Sequence, residues 1–94
     1  MEKAVVDFYG EHATVGICME ECSELIHALS KYNRACGDGY VTDTDTKTAY
    51  DGLIKAIADA TNAIDSVVYI VGIDPKDIES SIRESDDEAL ARLE

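Results

Sequence analysis

Three carboxylates stand within five residues in Glu20-Glu21-Cys22-Ser23-Glu24, on a segment that is otherwise apolar. On a helix, Glu21 and Glu24 are three apart and Glu20 and Glu24 four apart, so each pair shares a side. Like charges at that spacing repel by about a few tenths of a kcal/mol on a solvated face. Facing another helix they need a cation. No Lys or Arg lies in the same turns to neutralise them. A second group follows in Asp59, Asn62 and Asp65, one turn apart, with Ala56, Ala58, Ala60 and Ala63 around Asp59. A carboxylate among small residues leaves space beside it for a ligand. Carboxylate oxygens from two antiparallel helices suit Mg²⁺, which takes a few carboxylates and keeps waters or phosphates in its other positions. The plainer reading makes both groups solvated polar faces.

The elements that would position these residues are helices. Glu2 to Tyr9 is a short segment, interrupted by Gly10. A long one runs from about Glu11 to Ala35, where Val15, Cys18, Cys22, Leu25, Ile26 and Leu29 recur at three- and four-residue steps. Gly16 weakens it near its start. Residues 36–45 are rich in Gly, Thr and Asp and read as a loop, with a turn at Gly37-Asp38-Gly39. Thr44 or Asp45 is the expected cap of a third segment, about Thr46 to Val71. Tyr50, Leu53, Ile54, Ile57, Thr61, Ile64, Val68 and Val71 are its expected buried face. Gly72 supplies its stop. Asp74-Pro75 then opens a last helix to about Leu93, acidic and sparsely apolar, expected on the outside. Two helices of about 25 residues would each span roughly 37 Å. Such a hairpin is flat, with two broad faces, and a dimer completing a four-helix bundle would cover the second. The expected fold is therefore all-α: one domain over residues 1–94, built from two long antiparallel helices and shorter flanking ones, completed by dimerisation.

Charge and composition narrow the functions. Twenty acidic residues against eight basic give a formal charge of −12. Binding a nucleic-acid polymer needs clustered Lys and Arg, and anionic membranes would repel such a chain. No apolar run approaches the roughly 20 residues of a membrane span. Met1-Glu2-Lys3-Ala4-Val5-Val6-Asp7 lacks the build of a signal peptide, so a cytoplasmic location is expected. Three Cys imply no disulfide framework. Cys18 and Cys22 could chelate zinc only with two more ligands from Cys36, His12 and His27; the alternative is small, partly buried thiols.

Met19-Glu20-Glu21-Cys22-Ser23-Glu24-Leu25-Ile26, followed by Leu53-Ile54-Lys55-Ala56-Ile57-Ala58-Asp59-Ala60-Thr61-Asn62-Ala63-Ile64-Asp65, resembles the MazG-like nucleoside triphosphate pyrophosphohydrolases. That family is all-α and usually dimeric or tetrameric. It carries an EExxE motif on one helix and an ExxD motif on the next, which together bind Mg²⁺. The resemblance covers roughly residues 11–80, including the Gly-Ile-Asp-Pro break. It implies that Glu21, Glu24 and Asp59 ligate Mg²⁺, with Mn²⁺ as a substitute. Glu20 would assist, from behind the ligands or by orienting the attacking water. The implied reaction takes a nucleoside triphosphate to monophosphate and pyrophosphate. Lys31, Arg34 and Asn62 are the candidate substrate contacts, although Lys31 and Arg34 also suit a solvated helix end.

One position departs from the family. Ala56 stands where the ExxD motif has Glu, and Lys55 beside it would oppose a metal if it turned inward. Either three carboxylates suffice, or the chain is a degenerate member that binds nucleotide or only associates. Two other classes compete. Glu24-Leu25-Ile26-His27 matches the E-x-x-H step of di-iron carboxylate bundles, a short pattern with many chance matches. An acidic helical interaction module without small-molecule chemistry is the third.

Overall fold

The computed structural model describes residues 2–37 and 44–94. Among them are three helices and no strand: α1 (Lys3–Ala35), α2 (Thr46–Val71) and α3 (Pro75–Arg92). No helix among the described residues is long and apolar enough to cross a membrane. Most of the loop expected at 36–45, including Asp38 and Gly39 of its turn, lies outside the described residues.

Local signals explain each boundary. Gly10 breaks α1 with φ 82° and ψ 179°, a region essentially open to glycine alone. The Thr14 hydroxyl, fully buried, donates to the Gly10 carbonyl at 2.7 Å. The arm before the break is held against the far end of α2. Val6 is buried, the Tyr69 hydroxyl donates to both Asp7 oxygens at 3.0 Å, and Lys3 Nζ lies 5.2 Å from the Tyr69 ring centre. At the other end of the pair, the Thr46 hydroxyl donates to the Ala35 carbonyl at 3.2 Å. These two sets of contacts make α1 and α2 an antiparallel hairpin. Asp45 caps α2 by accepting from the Thr48 N–H at 2.7 Å. Gly72 ends it in the left-handed conformation, φ 82° and ψ 36°. Asp74 accepts from the Lys76 N–H at 3.0 Å, with Pro75 in the first turn of α3.

The hairpin closes on small residues. Ala49, Ala60, Ala63 and Ser66 of α2 are buried, with Leu53 and Ala56 half-buried beside them. From α1, Thr14 is buried and Cys18, Glu21, Leu25, Ala28 and Tyr32 are half-buried. This corrects the expected buried face of α2. Tyr50, Ile54, Ile57, Thr61, Ile64 and Val71 are exposed, and only Leu53 and Val68 of that set are partly covered. On α1, Ile26 and Leu29 are likewise exposed. The physical reason is that alanines let two helix backbones approach closely, so the alanine stripe takes the seam and turns the branched stripe outward.

The offset orders the whole molecule. On each helix the apolar stripe lies one residue after the seam stripe, about 100° around the axis. In an antiparallel pair, the same step on both helices leads to the same side. One broad face of the hairpin therefore carries Met19, Ile26 and Leu29 from α1 with Tyr50, Ile54, Ile57 and Ile64 from α2, all exposed. The opposite step leads to the other face, with Glu20, Glu24, His27 and Lys31 from α1 and Thr48, Gly52, Lys55, Asp59 and Asn62 from α2. The molecule measures 42 × 42 × 17 Å, so it is one helix layer thick. Every residue of α3 is exposed, as expected for its composition.

Candidate functional site

The polar face holds two adjoining grooves. The larger, about 470 Å³, is walled by Glu24, His27 and Lys31 of α1 and by Thr48, Lys55 and Asp59 of α2. Its floor is made of small residues, Ala28, Ala49, Gly52 and Ala56. A Cβ built on Gly52 would meet nothing within 4 Å. The smaller, about 250 Å³, is lined by Ile17, Glu21, Asp59, Asn62 and Ala63. Asp59 belongs to both and stands between them.

Glu24 lines the larger groove and Glu21 the smaller, with Asp59 in both. Glu21 lies in the seam, and its Oε2 atom is buried with no hydrogen-bond partner. Burial pushes the Glu21 carboxyl above its ordinary range; the negative charges of Glu24 and then Asp59, and a hydrogen bond shared with the Glu24 carboxyl, push it further, while Lys55 works the other way. Lys55 Nζ donates to Asp59 Oδ2 at 2.9 Å. This hydrogen bond and the Asp59 charge hold the Lys55 ammonium above its usual range, with smaller contributions from Glu21 and Glu24. The absence of a cation from the Glu20–Glu24 turns is thus offset from across the hairpin.

The other expected residues divide. Lys31 lines the larger groove with Glu24, and Asn62 lines the smaller with Glu21. Glu20 is exposed on the same face but lines neither groove. Arg34 is exposed near the end of α1 and lines neither. Asp65 is exposed one turn beyond Asn62. Asp51, which is not among the expected site residues, is paired with Lys47 at 3.0 Å. His27, considered for a di-iron motif, stands in the wall of the larger groove. Cys18 and Cys22 are half-buried free thiols and Cys36 is exposed.

The donor chemistry suits a hard divalent cation, since Glu21, Glu24 and Asp59 offer only oxygen and one of those oxygens lacks any partner. The side chains are not gathered around one point: among the described residues, no group of three or more His, Cys, Asp or Glu side chains is arranged to hold a metal ion. Asp59 is instead bonded to Lys55. The same observation leaves the zinc arrangement without a ligand set within one chain among those residues.

Sequence reasoning missed Thr48 and Gly52 as groove residues and placed Lys55 only as an obstacle. The signal was available: Thr48, Gly52, Lys55, Asp59 and Asn62 recur at helical steps one residue before the alanine stripe. Compared with known proteins, the chain matches no family model, no curated protein and no solved structure.

Proposed function

We propose that the polar face is the site of a Mg²⁺-dependent nucleoside triphosphate pyrophosphohydrolase of the MazG-like kind, converting an NTP or dNTP to monophosphate and pyrophosphate. One observation carries this reading. Glu21, Glu24 and Asp59 bring three mutually repelling carboxylates to the two adjoining grooves, and one oxygen of Glu21 is buried without a donor. That is an unfavourable arrangement without a cation and a favourable one with it. Mg²⁺, when bound, supplies neutralisation of phosphate charge and activation of water.

Each residue then has a task that its position allows. Glu21, Glu24 and Asp59 would hold the ion. Lys31 in the larger groove and Asn62 in the smaller lie on either side of Asp59, suited to the two ends of an extended nucleotide. The small-residue floor leaves room for a flat ring, and about 470 Å³ is within the ordinary range of small-ligand pockets. Glu20, exposed one turn from Glu24, and Arg34 would act only on groups that project beyond the grooves.

The test is formation of monophosphate and pyrophosphate from a panel of ribo- and deoxyribonucleoside triphosphates, with Mg²⁺ and then Mn²⁺. Metal-dependent turnover lost in Glu24→Ala, with the fold intact by circular dichroism, is the expected result. No turnover with any nucleotide sinks the enzymatic reading. A second reading, a nucleotide-binding member without activity, is favoured by Ala56 in place of a fourth carboxylate and by the engagement of Asp59 with Lys55.

The opposite face has its own role in this proposal. Its exposed Ile, Leu, Met and Tyr side chains form the sort of contiguous apolar patch that marks an interface. In a homodimer the same face of a second copy would cover it, two flat hairpins stacking into a four-helix bundle. Such a contact is self-complementary about a two-fold axis. It leaves both polar faces outward.

A further inference from the structure

We propose that α3 is an exchanged arm: in the dimer it leaves its own hairpin and packs Ile78, Ile82 and Leu93 against the hairpin of the second copy. This rests on the dimer read above from the apolar face. A compact monomer of this mass exposes about 5,300 Å², whereas this chain exposes 7207 Å². Its radius of gyration is 16.7 Å, against about 12 Å for a compact domain of its length. The excess of about 1,900 Å² per protomer, counted on both copies, falls in the size class of obligate homodimers. Stacking two hairpin faces covers only part of it. The pair of helices is about 39 Å long and about 20 Å wide, so its face projects roughly 800 Å². The remainder points to α3. Every residue of α3 is exposed, and among the described residues it scarcely touches the hairpin.

The arm has a face to offer. At about 100° per residue, Ile78, Ile82, Ala89 and Leu93 fall within about 60° of one another, with Lys76, Ser80, Arg83 and Asp87 on the opposite side. Helices draw most of their stability from packing such a stripe. The second copy is its occupant because the stripe continues the dimer face. Ile57, Ile64 and Val71 lead along α2 to its end, and Ile73, Ile78 and Ile82 carry the series into α3, all of them exposed. The molecule is 17 Å thick and 42 Å across in both other directions. The arm therefore runs out beside its own hairpin, not back over the apolar face. A second hairpin stacked on that face about a two-fold axis meets the projecting arm and gives its own in return.

The experiment uses the full chain. Sedimentation velocity over a dilution series compares wild type, Ile82→Ala and Ser80→Ala. Ile82→Ala is expected to weaken dimerisation about 30-fold, both symmetric copies counted. Ser80→Ala, on the far side of α3, should match wild type. Isotope-filtered NMR then reads the contact in the unaltered protein. In an equal mixture of unlabelled chains and chains with ¹³C-labelled Ile methyls, the Ile82 methyl is expected to show NOEs to protons of the unlabelled chain. A dimer in which Ile82→Ala overlays Ser80→Ala overturns the exchange while the stacked dimer stands, and leaves the stripe to a different protein. So does a dimer in which the Ile82 methyl shows no NOE to the unlabelled chain. A wild type that stays monomeric overturns the dimer itself, and the inference with it.

Discussion

Replacing Ile57 with Ala on the apolar face should weaken self-association about 30-fold while leaving the protomer folded. Ile57 is 47% exposed and Ile64 46%, so roughly half of each side chain is still in water. Burying a whole Ile side chain is worth about 1.5–3 kcal/mol, so covering the remaining half is worth about 1 kcal/mol. A two-fold contact counts each substitution twice, giving about 2 kcal/mol per site. At about 1.4 kcal/mol per ten-fold, that is roughly 30-fold in Kd for Ile57→Ala and about a thousand-fold for the double variant with Ile64→Ala. Sedimentation velocity over a dilution series reads the monomer fraction directly, and urea unfolding at low concentration reports the protomer. Glu20→Ala, on the opposite face, is the control and should not shift the dilution curve. A wild-type chain that stays monomeric at high concentration would refute the stacking of two hairpins. So would an Ile57→Ala curve that overlays the Glu20→Ala curve.

Other outcomes follow from single residues. Gly10→Ala should destabilise by about 1–3 kcal/mol, because φ 82° with ψ 179° is closed to side chains. Gly16→Ala, in regular helix with nothing within 4 Å of the new Cβ, should instead stabilise by about 0.5–1 kcal/mol; thermal melts of the two variants should move in opposite directions. Glu21 makes metal-free stability fall as pH rises through and above the ordinary carboxylate range. Its folded pKa lies above its unfolded one, so in that interval the folded chain binds more protons. Glu21→Gln should be the more stable protein at neutral pH and lose its advantage in acid; urea midpoints with an unchanged difference from pH 4 to 7 would refute the burial of that charge. Ala56→Glu should tighten Mn²⁺ binding on the order of ten-fold, since ligand charge count tunes such sites, while lowering the metal-free melting point. A loss of affinity would mean that position 56, on the groove floor, does not face the ion.

Helix boundaries were legible because their causes are local. Asp45, Gly72, Asp74 and Pro75 act on the turn they sit in, and α2 runs over Thr46–Val71 as its periodicity and caps require. Gly10 likewise breaks α1 by its own backbone freedom. The face of α2 that enters the seam was not legible in the same way. The alanine stripe and the isoleucine stripe have the same period and differ by one residue, and hydropathy prefers the isoleucines. It prefers them correctly only if the hairpin is all there is to cover. Spacing on two antiparallel helices is enough to put Glu24 and Asp59 on the walls of one groove. The engagement of Lys55 does not follow from spacing, because a long flexible side chain four residues before Asp59 can point along the helix or into solvent without changing the pattern.

The charges on the polar face bear on the order in which metal and nucleotide bind. Around Asp59, three carboxylates face one bound ammonium, on a chain whose formal charge is −12. A polyphosphate brought there meets negative charge first. Each unlike or like pair at about 4 Å is worth about 1 kcal/mol even at the dielectric constant of water, so several uncompensated carboxylates exclude an anion that one lysine cannot hold. A divalent cation would bring three carboxylates and one ammonium to about neutral, so metal should precede or accompany the nucleotide. The free acid-rich face and the free nucleotide should therefore show little affinity for each other. Tight nucleotide binding in the presence of a chelator would contradict this order, and it would move the binding site away from Glu21, Glu24 and Asp59 altogether.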